Sequence, residues 1–260
     1  MELTEEEIRA AVKAIYARKA EESDQWYPYC FASQSAFGAV ERARLMGYSE
    51  AELKGVPEES IMALGCGNPF SLIELRPGDT VLDLGSGGGM DAFLAAARVG
   101  PRGKVIGVDI TGEMVRKAQT TAAHFGYRNV EFRMAEMESL PIESGSVDAV
   151  ISNCSISLST DKPKVLREAF RALKPDGILA MCEIARQESA PAQEGIGECA
   201  LCAAGVLEKS EYADGLAEAG FEQVEIAWER EFEFEECRDS VRALSIGVRA
   251  RKPVSCRRDS

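Results

Sequence analysis

The chain is expected to fold as an α/β protein, a doubly wound and mostly parallel sheet with helices before it and a smaller α+β extension after it. Three observations carry that expectation. From residue 80 onward short apolar, β-branched runs (TVLDL, KVIGVD, VEFRM, VDAVIS, ILAMCEI) alternate with longer amphipathic segments, the signature of strands joined by crossover helices. A cluster of glycines, LGSGGGM at 84 to 90, stands between the first such run and the next amphipathic segment, where a strand must turn tightly into a helix. And 260 residues with 45% hydrophobic content are enough for one large core with additions.

The elements follow in order. Residues 4–20 place Ile8, Val12 and Ile15 on one helical face. WYPYCFASQ at 26–34 breaks that period with aromatics and Pro28 and is expected to be an ordered loop or lid. Ser49 and Glu52 form a capping box for a short helix, and Pro57 suits the first turn of another that ends near the glycines around Cys66. Helices are expected over MDAFLAAARVG, TGEMVRKAQTTAAHFG and DKPKVLREAFRALKPDG, and again over EKSEYADGLAEAGF, with two last strands in EQVEIAWEREFEF and VRALSIGVRA. The expected division is 1–76 as helical segment and lid, 77–184 as ligand-binding core, and 185–260 as a substrate-binding segment carrying the last helix and strands.

Charge excludes some functions. A formal net charge of −13 is the wrong sign for binding phosphate backbones, so no nucleic-acid partner is expected. No apolar run approaches the roughly 18 residues of a membrane span, and the acidic start MELTEEEIRAA is unlike a secretory signal. The expected location is the cytoplasm, where most of the eight cysteines would be free thiols. A single histidine, His124, sits in an expected helix away from every strand end, which leaves a Ser-His-Asp hydrolase little to build on.

The glycine turn reads Asp83-x-Gly85-x-Gly87-x-Gly89, followed by Met90. A dinucleotide fingerprint fails at that sixth position and no Gly-Lys-Ser/Thr follows for a phosphate loop. The pattern resembles the first motif of class I S-adenosylmethionine-dependent methyltransferases. Asp109, about 20 residues on at the end of the next strand, stands where ribose hydroxyls are held. The resemblance implies S-adenosyl-L-methionine as cofactor, contacted by Asp83, Gly85, Ser86, Gly87, Asp109, Ile110, Met114, Asn153, and by Ala135 and Glu136 beside the adenine.

Cysteines lie at telling places. Cys154 directly follows the fourth strand, where open α/β sheets bind ligands, and Cys66 stands between glycines in GCGNP. Cys199 and Cys202 would share a helix face, but C-x-x-C alone is weak evidence of a metal site. GYSEAELKGVP, LGCGNP, TVLDLGSGGGMDAFLAA, VGPRGKVIGVDITGEM, NVEFR, SNC and LSTDKPKVLREAFRALKP, in that order, resemble the arsenite S-adenosylmethionine methyltransferases from about residue 42 to about 221. The resemblance implies trivalent arsenic held by Cys66, Cys154 and Cys202, with Cys199 competing for the third place. It implies arsenite or its thiol conjugates as substrate, and a thiol reductant such as thioredoxin or glutathione as partner. Cys30 is the candidate for the family's N-terminal redox cysteine, and Cys182, Cys237 and Cys256 are expected outside the arsenic site. Departures from the family are Ser155-Ile156-Ser157 after SNC, Cys182-Glu183 at the fifth strand, and LKPDG in place of a double glycine. Two other readings stand beside this one: a class I methyltransferase for a small organic molecule such as a quinone or sterol-like carbon, and a non-catalytic arsenite-binding or sensing protein.

Overall fold

A computed structural model describes residues 4–21, 38–186, 205–234 and 241–254. The N-terminal helix α1 (Glu5–Glu21) starts at Thr4, whose hydroxyl accepts from the Glu7 amide while the Glu7 carboxylate accepts from the Thr4 amide, the reciprocal capping box. Two short helices follow, α2 (Ala39–Leu45) and α3 (Glu50–Lys54), the second started by the capping box of Ser49 and Glu52 that the sequence predicts. The helix expected after Pro57 reduces to one 3₁₀ turn at Glu58–Ser60. Ala63 lies at φ 50, in the left-handed region that ends a helix. Asn68 precedes Pro69 and is extended, as a residue before proline prefers. The stretch from Ile61 to Asn68 therefore runs as irregular chain, free to follow the sheet's edge.

Among the described residues the sheet has eight strands: β1 (Thr80–Leu84), β2 (Lys104–Asp109), β3 (Val130–Met134), β4 (Val147–Asn153), β5 (Leu173–Arg186), β6 (Leu207–Glu208), β7 (Glu222–Phe234) and β8 (Val241–Arg251). Their order is β3-β2-β1-β4-β5-β8-β7, with β6 beside the end of β5. β1 to β6 pair in parallel, and β8 runs antiparallel to both β5 and β7. The crossover helices are α4 (Met90–Val99), α5 (Gly112–His124) and α6 (Lys162–Ala172), with α7 (Lys209–Glu218) before β7. Parallel strands covered on both faces bury both sets of side chains. Two clusters result, one around Val81, Phe93 and Val105, the other around Leu82, Leu179 and Ile246. The sequence extends α6 through LKPDG, yet Leu173 already pairs with Val147. Pro175 cannot donate within a helix and Asp176 sits at φ 68, so Lys174–Gly177 becomes an irregularity inside β5.

The order of strands reverses between β1 and β4, and the crevice outside their C-terminal ends is where such sheets take ligands.

Candidate active site

That crevice is a cleft of about 1110 Å³, open mouth included. Its floor is the glycine turn. Gly85 sits at φ +70, and a Cβ there would come within 2.3 Å of the Ser155 side chain. Gly87 sits at φ +49 with open space before it, so its backbone faces the cleft bare. Asp109 closes β2 and fixes the turn, its carboxylate accepting from the amides of Gly87 (2.9 Å) and Thr111 (2.8 Å). Burial raises the Asp109 carboxyl above its ordinary range, and those two amides pull against it. Of the predicted cofactor residues, Asp83, Gly85, Ser86, Gly87, Asp109, Ile110 and Asn153 all line this cleft.

Three others do not line it. Met114 is wholly buried in α5. Ala135 donates its amide to Asp109 C=O and packs against the second core cluster. Glu136 lies next to it, outside the wall, and the chain reaches the cleft two residues later at Met137 and Glu138.

The cleft is acidic. Asp83 is buried, and its Oδ2 has no hydrogen-bond partner. Burial lifts its carboxyl well above the usual range, and the neighbouring Asp91 and Asp109 push it further. Asp91 is raised by burial too, against the pull of hydrogen bonds from Tyr48 (2.6 Å) and Asn153 (3.1 Å). Against Asp83, Asp91, Asp109 and Glu138, the cleft wall carries, among the described residues, one cationic side chain, Arg9 of α1. Crowded carboxylates with an orphaned oxygen lack a cation. S-adenosylmethionine would bring one as its sulfonium, and Asp109 at the end of β2 stands in the same wall. The α1 wall (Arg9, Val12, Tyr16) escaped the sequence reading, although the stripe through Val12 already marked the buried face; Arg9 also ties α1 to the far rim by donating to Thr160 Oγ1 at 3.0 Å.

Two predictions arise here. Asp109→Ala should weaken cofactor binding by about 1.5–3 kcal/mol, the scale of a lost charge-assisted hydrogen bond, and Gly87→Val should do so by straining a left-handed turn. Calorimetry with unchanged affinity in both variants would refute the placement. Because burial raises the Asp83, Asp91 and Asp109 carboxyls, they ionise only as the pH climbs above the ordinary carboxylate range, and a cation binds best once they have. S-adenosylmethionine affinity should therefore rise with pH through that window more steeply than that of S-adenosylhomocysteine, which lacks the sulfonium charge. Parallel slopes in calorimetry from acid to neutral pH would contradict it.

The thiols sit at one flank of the cleft. Cys154 follows β4 directly, at φ 59, and donates its amide to Cys182 C=O at 2.7 Å. Burial pushes the Cys66 thiol up, and a hydrogen bond with Cys154 works the other way. The two predicted thiols thus meet, although 87 residues separate their loops' contacts. Asn153 joins those loops. Its Oδ1 accepts from the amides of Cys66 (3.0 Å) and Gly67 (3.3 Å), and its Nδ2 donates to Gly67 C=O (2.8 Å) and Tyr48 Oη (3.0 Å). The flanking glycines are explained by the protein's own packing: a Cβ at Gly65 would lie 2.4 Å from the Asn153 amide, and one at Gly67 would lie 2.6 Å from Trp228. Ser245 of β8 donates to Cys66 C=O at 2.7 Å, so the C-terminal strands brace the same loop.

Cys182 lies beneath Gly67, wholly buried, with its thiol raised well above the ordinary value by burial and then by nearby acids. Among the described residues no three Cys, His, Asp or Glu side chains form a metal-holding group. The third predicted thiol, Cys202, its competitor Cys199, and Cys30, Cys237 and Cys256 lie outside the described residues, as does the expected lid at 26–34.

Fold, glycine turn and acidic cleft together define a class I methyltransferase. Residues 75–220 match the family described as "Methyltransferase domain". The chain is 40% identical over 233 residues to an arsenite methyltransferase of Halobacterium salinarum, an overlap covering 86% of this chain and 59% of that protein. It is 44% identical over 135 residues to an arsenite methyltransferase of Aquipseudomonas alcaligenes, covering 49% of this chain and 38% of that one. The crystal structure of an arsenic(III) S-adenosylmethionine methyltransferase from Chlamydomonas reinhardtii superimposes with a TM-score of 0.64 at 30% identity, covering 83% of this chain and 74% of that one. The chain belongs to the methyltransferase-domain family, and within it to the arsenite methyltransferases. It spans a little over half the length of the first of these curated relatives and less of the second. S-adenosylmethionine is the cofactor of this family, and the cleft described above fits it.

Proposed function

We propose that this chain methylates trivalent arsenic held by Cys66, Cys154 and Cys202. The observation that carries the reading is the meeting of the Cys66 and Cys154 thiols at the flank of the cofactor cleft, with Cys154 in its wall. Arsenic(III) is a soft centre that prefers sulfur, and three thiols satisfy its three bonds while leaving its lone pair free. Each thiol proton leaves with one of arsenite's hydroxyls as water, so buried, neutral thiols suffice and no base is required. That suits a site without histidine and a Cys66 thiol held protonated by burial. The cofactor supplies an electrophilic methyl group. The protein contributes by orientation: Asp109 and the glycine turn hold the cofactor, Asn153 and the Cys154 turn hold the thiols, and alignment of this kind is worth about 7–11 kcal/mol.

Cys202 as the third thiol, with Cys199 competing for that place, is what the resemblance to the arsenite methyltransferases implies. Arsenite or its thiol conjugates as substrate, a thiol reductant as partner and a cytoplasmic setting belong to the same proposal. Among the described residues no helix is long and apolar enough to cross a membrane.

A relative named nocamycin O-methyltransferase, 39% identical over 43% of the chain, favours as second reading an organic substrate served by the same core. Single-turnover formation of S-adenosylhomocysteine decides between them: it should require arsenite, and arsenite-independent turnover with a small organic acceptor would replace the arsenic reading.

A further inference from the structure

The strand next to the thiols carries a charge that the reaction does not use. Glu183 occupies β5 between Cys182 and Ile184 in a wholly buried stretch, with its own side chain fully covered. A carboxylate in such a place is costly unless fully hydrogen-bonded. Its partners are three consecutive backbone amides: Oε1 accepts from Ser155 (3.1 Å) and Ile156 (2.9 Å), and Oε2 from Ser157 (3.3 Å). Burial raises the carboxyl to about 7, and the same three amides hold it from rising further. Lys162, the cation felt here, donates instead to Ser159 C=O.

Those amides belong to the turn that begins at Cys154. Cys154 is a non-glycine residue at φ 59, a conformation that costs about 1–2 kcal/mol and persists only where its surroundings impose it. Two adjacent residues of β5 impose it. Cys182 C=O takes the Cys154 amide, and the Glu183 carboxylate gathers the next three. A chain leaving β4 is thereby bent back over β5, which turns the Cys154 side chain toward Cys66.

We propose that Glu183 is a positioning residue for the thiol pair: its buried carboxylate fastens the Ser155–Ser157 turn and so aims Cys154 at Cys66. The proposal rests on the reading of Cys154 as an arsenic ligand. Glu183 is fully covered and does not line the cofactor cleft. Its charge, rather than its volume, does the fastening, because an anion can draw three amide dipoles together where a neutral amide side chain offers one accepting oxygen and a competing donor.

The test uses the full chain with Glu183→Gln and Glu183→Asp. Glu183→Gln should raise the KM for arsenite about tenfold, the scale of one lost charge-assisted hydrogen bond, with S-adenosylmethionine affinity unchanged. It should also speed alkylation of Cys154 by iodoacetamide, read peptide by peptide in a mass spectrometer. Glu183→Asp keeps the charge and loses a methylene, and should lie nearer wild type than Glu183→Gln on both readouts. A role limited to filling space predicts the reverse order, since Gln matches the native volume. Amide exchange in the wild-type protein needs no variant: Ser155, Ile156 and Ser157 should exchange as slowly as the strand amides of β4. Fast exchange there, an unchanged Glu183→Gln protein, or Gln outperforming Asp would each overturn the proposal. Absence of arsenite turnover in the wild type would instead remove the arsenic reading, and the alkylation and exchange results would still decide what Glu183 does.

Discussion

Serine at Cys154 should lower single-turnover arsenite methylation by ~10² or more, the penalty for reacting groups misplaced by about an ångström, while S-adenosylmethionine binds as before. The two effects separate because the residue has two neighbours of different kinds. Its backbone is held by Cys182 C=O, and the adjoining turn by Glu183. Serine can keep those bonds, so the cleft keeps its shape. The thiol alone is lost, and with it a soft donor that a hydroxyl does not replace. Cys66→Ser should follow the same pattern, because its loop is fixed by Asn153 and Ser245 through backbone atoms. Cys182→Ser, beneath the loop, should leave methylation in place at some cost in stability, since it buries a hydroxyl. Arsenic X-ray absorption completes the measurement, with sulfur neighbours counted in each protein. Full activity in Cys154→Ser, or an arsenic site without sulfur, would leave an organic-substrate methyltransferase as the better account.

Some of this was written in the sequence in a form that physics can read. Alternation of apolar runs announces a parallel sheet because both faces of such a strand are buried. Asp83, the glycines and Asp109 are close in sequence, and the geometry of one βαβ unit brings them together. Capping at Ser49 is likewise local, as two side chains and two amides decide it. What escaped is long-range. Nothing near Asn153 says that its amide will close on a loop 87 residues earlier. Nothing near Trp228 says that its ring will fill the space left by Gly67 and Gly247. Glu183 did leave a trace, an acid inside the apolar run ILAMCEI, but its amide partners lie beyond the crossover helix. The helix expected after Pro57 failed for the same reason. Local propensity favoured it, while the cleft needs extended chain there to bring Cys66 beside β4.

Asn153→Ala should be the most damaging single change outside the thiols. The native amide accepts from Cys66 and Gly67 and donates to Gly67, Tyr48 and Asp91. Alanine strands the two loop amides, and each unsatisfied buried donor costs about 1–3 kcal/mol. It also leaves Asp91 with one fewer donor in a cleft already crowded with buried carboxyls, so cofactor affinity should fall modestly. The larger loss is geometric, because the loop bearing Cys66 would no longer be pinned to the strand bearing Cys154. Arsenite methylation should therefore fall more than cofactor binding does, by ~10² if the thiols separate by about an ångström. Asn153→Asp distinguishes the two halves of the amide. It keeps an acceptor for Cys66 and Gly67 but sets a new charge beside Asp91, so it should harm the cofactor side more and the thiol side less. Thermal unfolding, calorimetry with S-adenosylmethionine and arsenite turnover measured on the two variants give the comparison. Equal losses on both sides in both variants would mean that Asn153 merely fills space, and an Asn153→Ala protein with wild-type arsenite turnover would mean that the two thiol loops find each other without it.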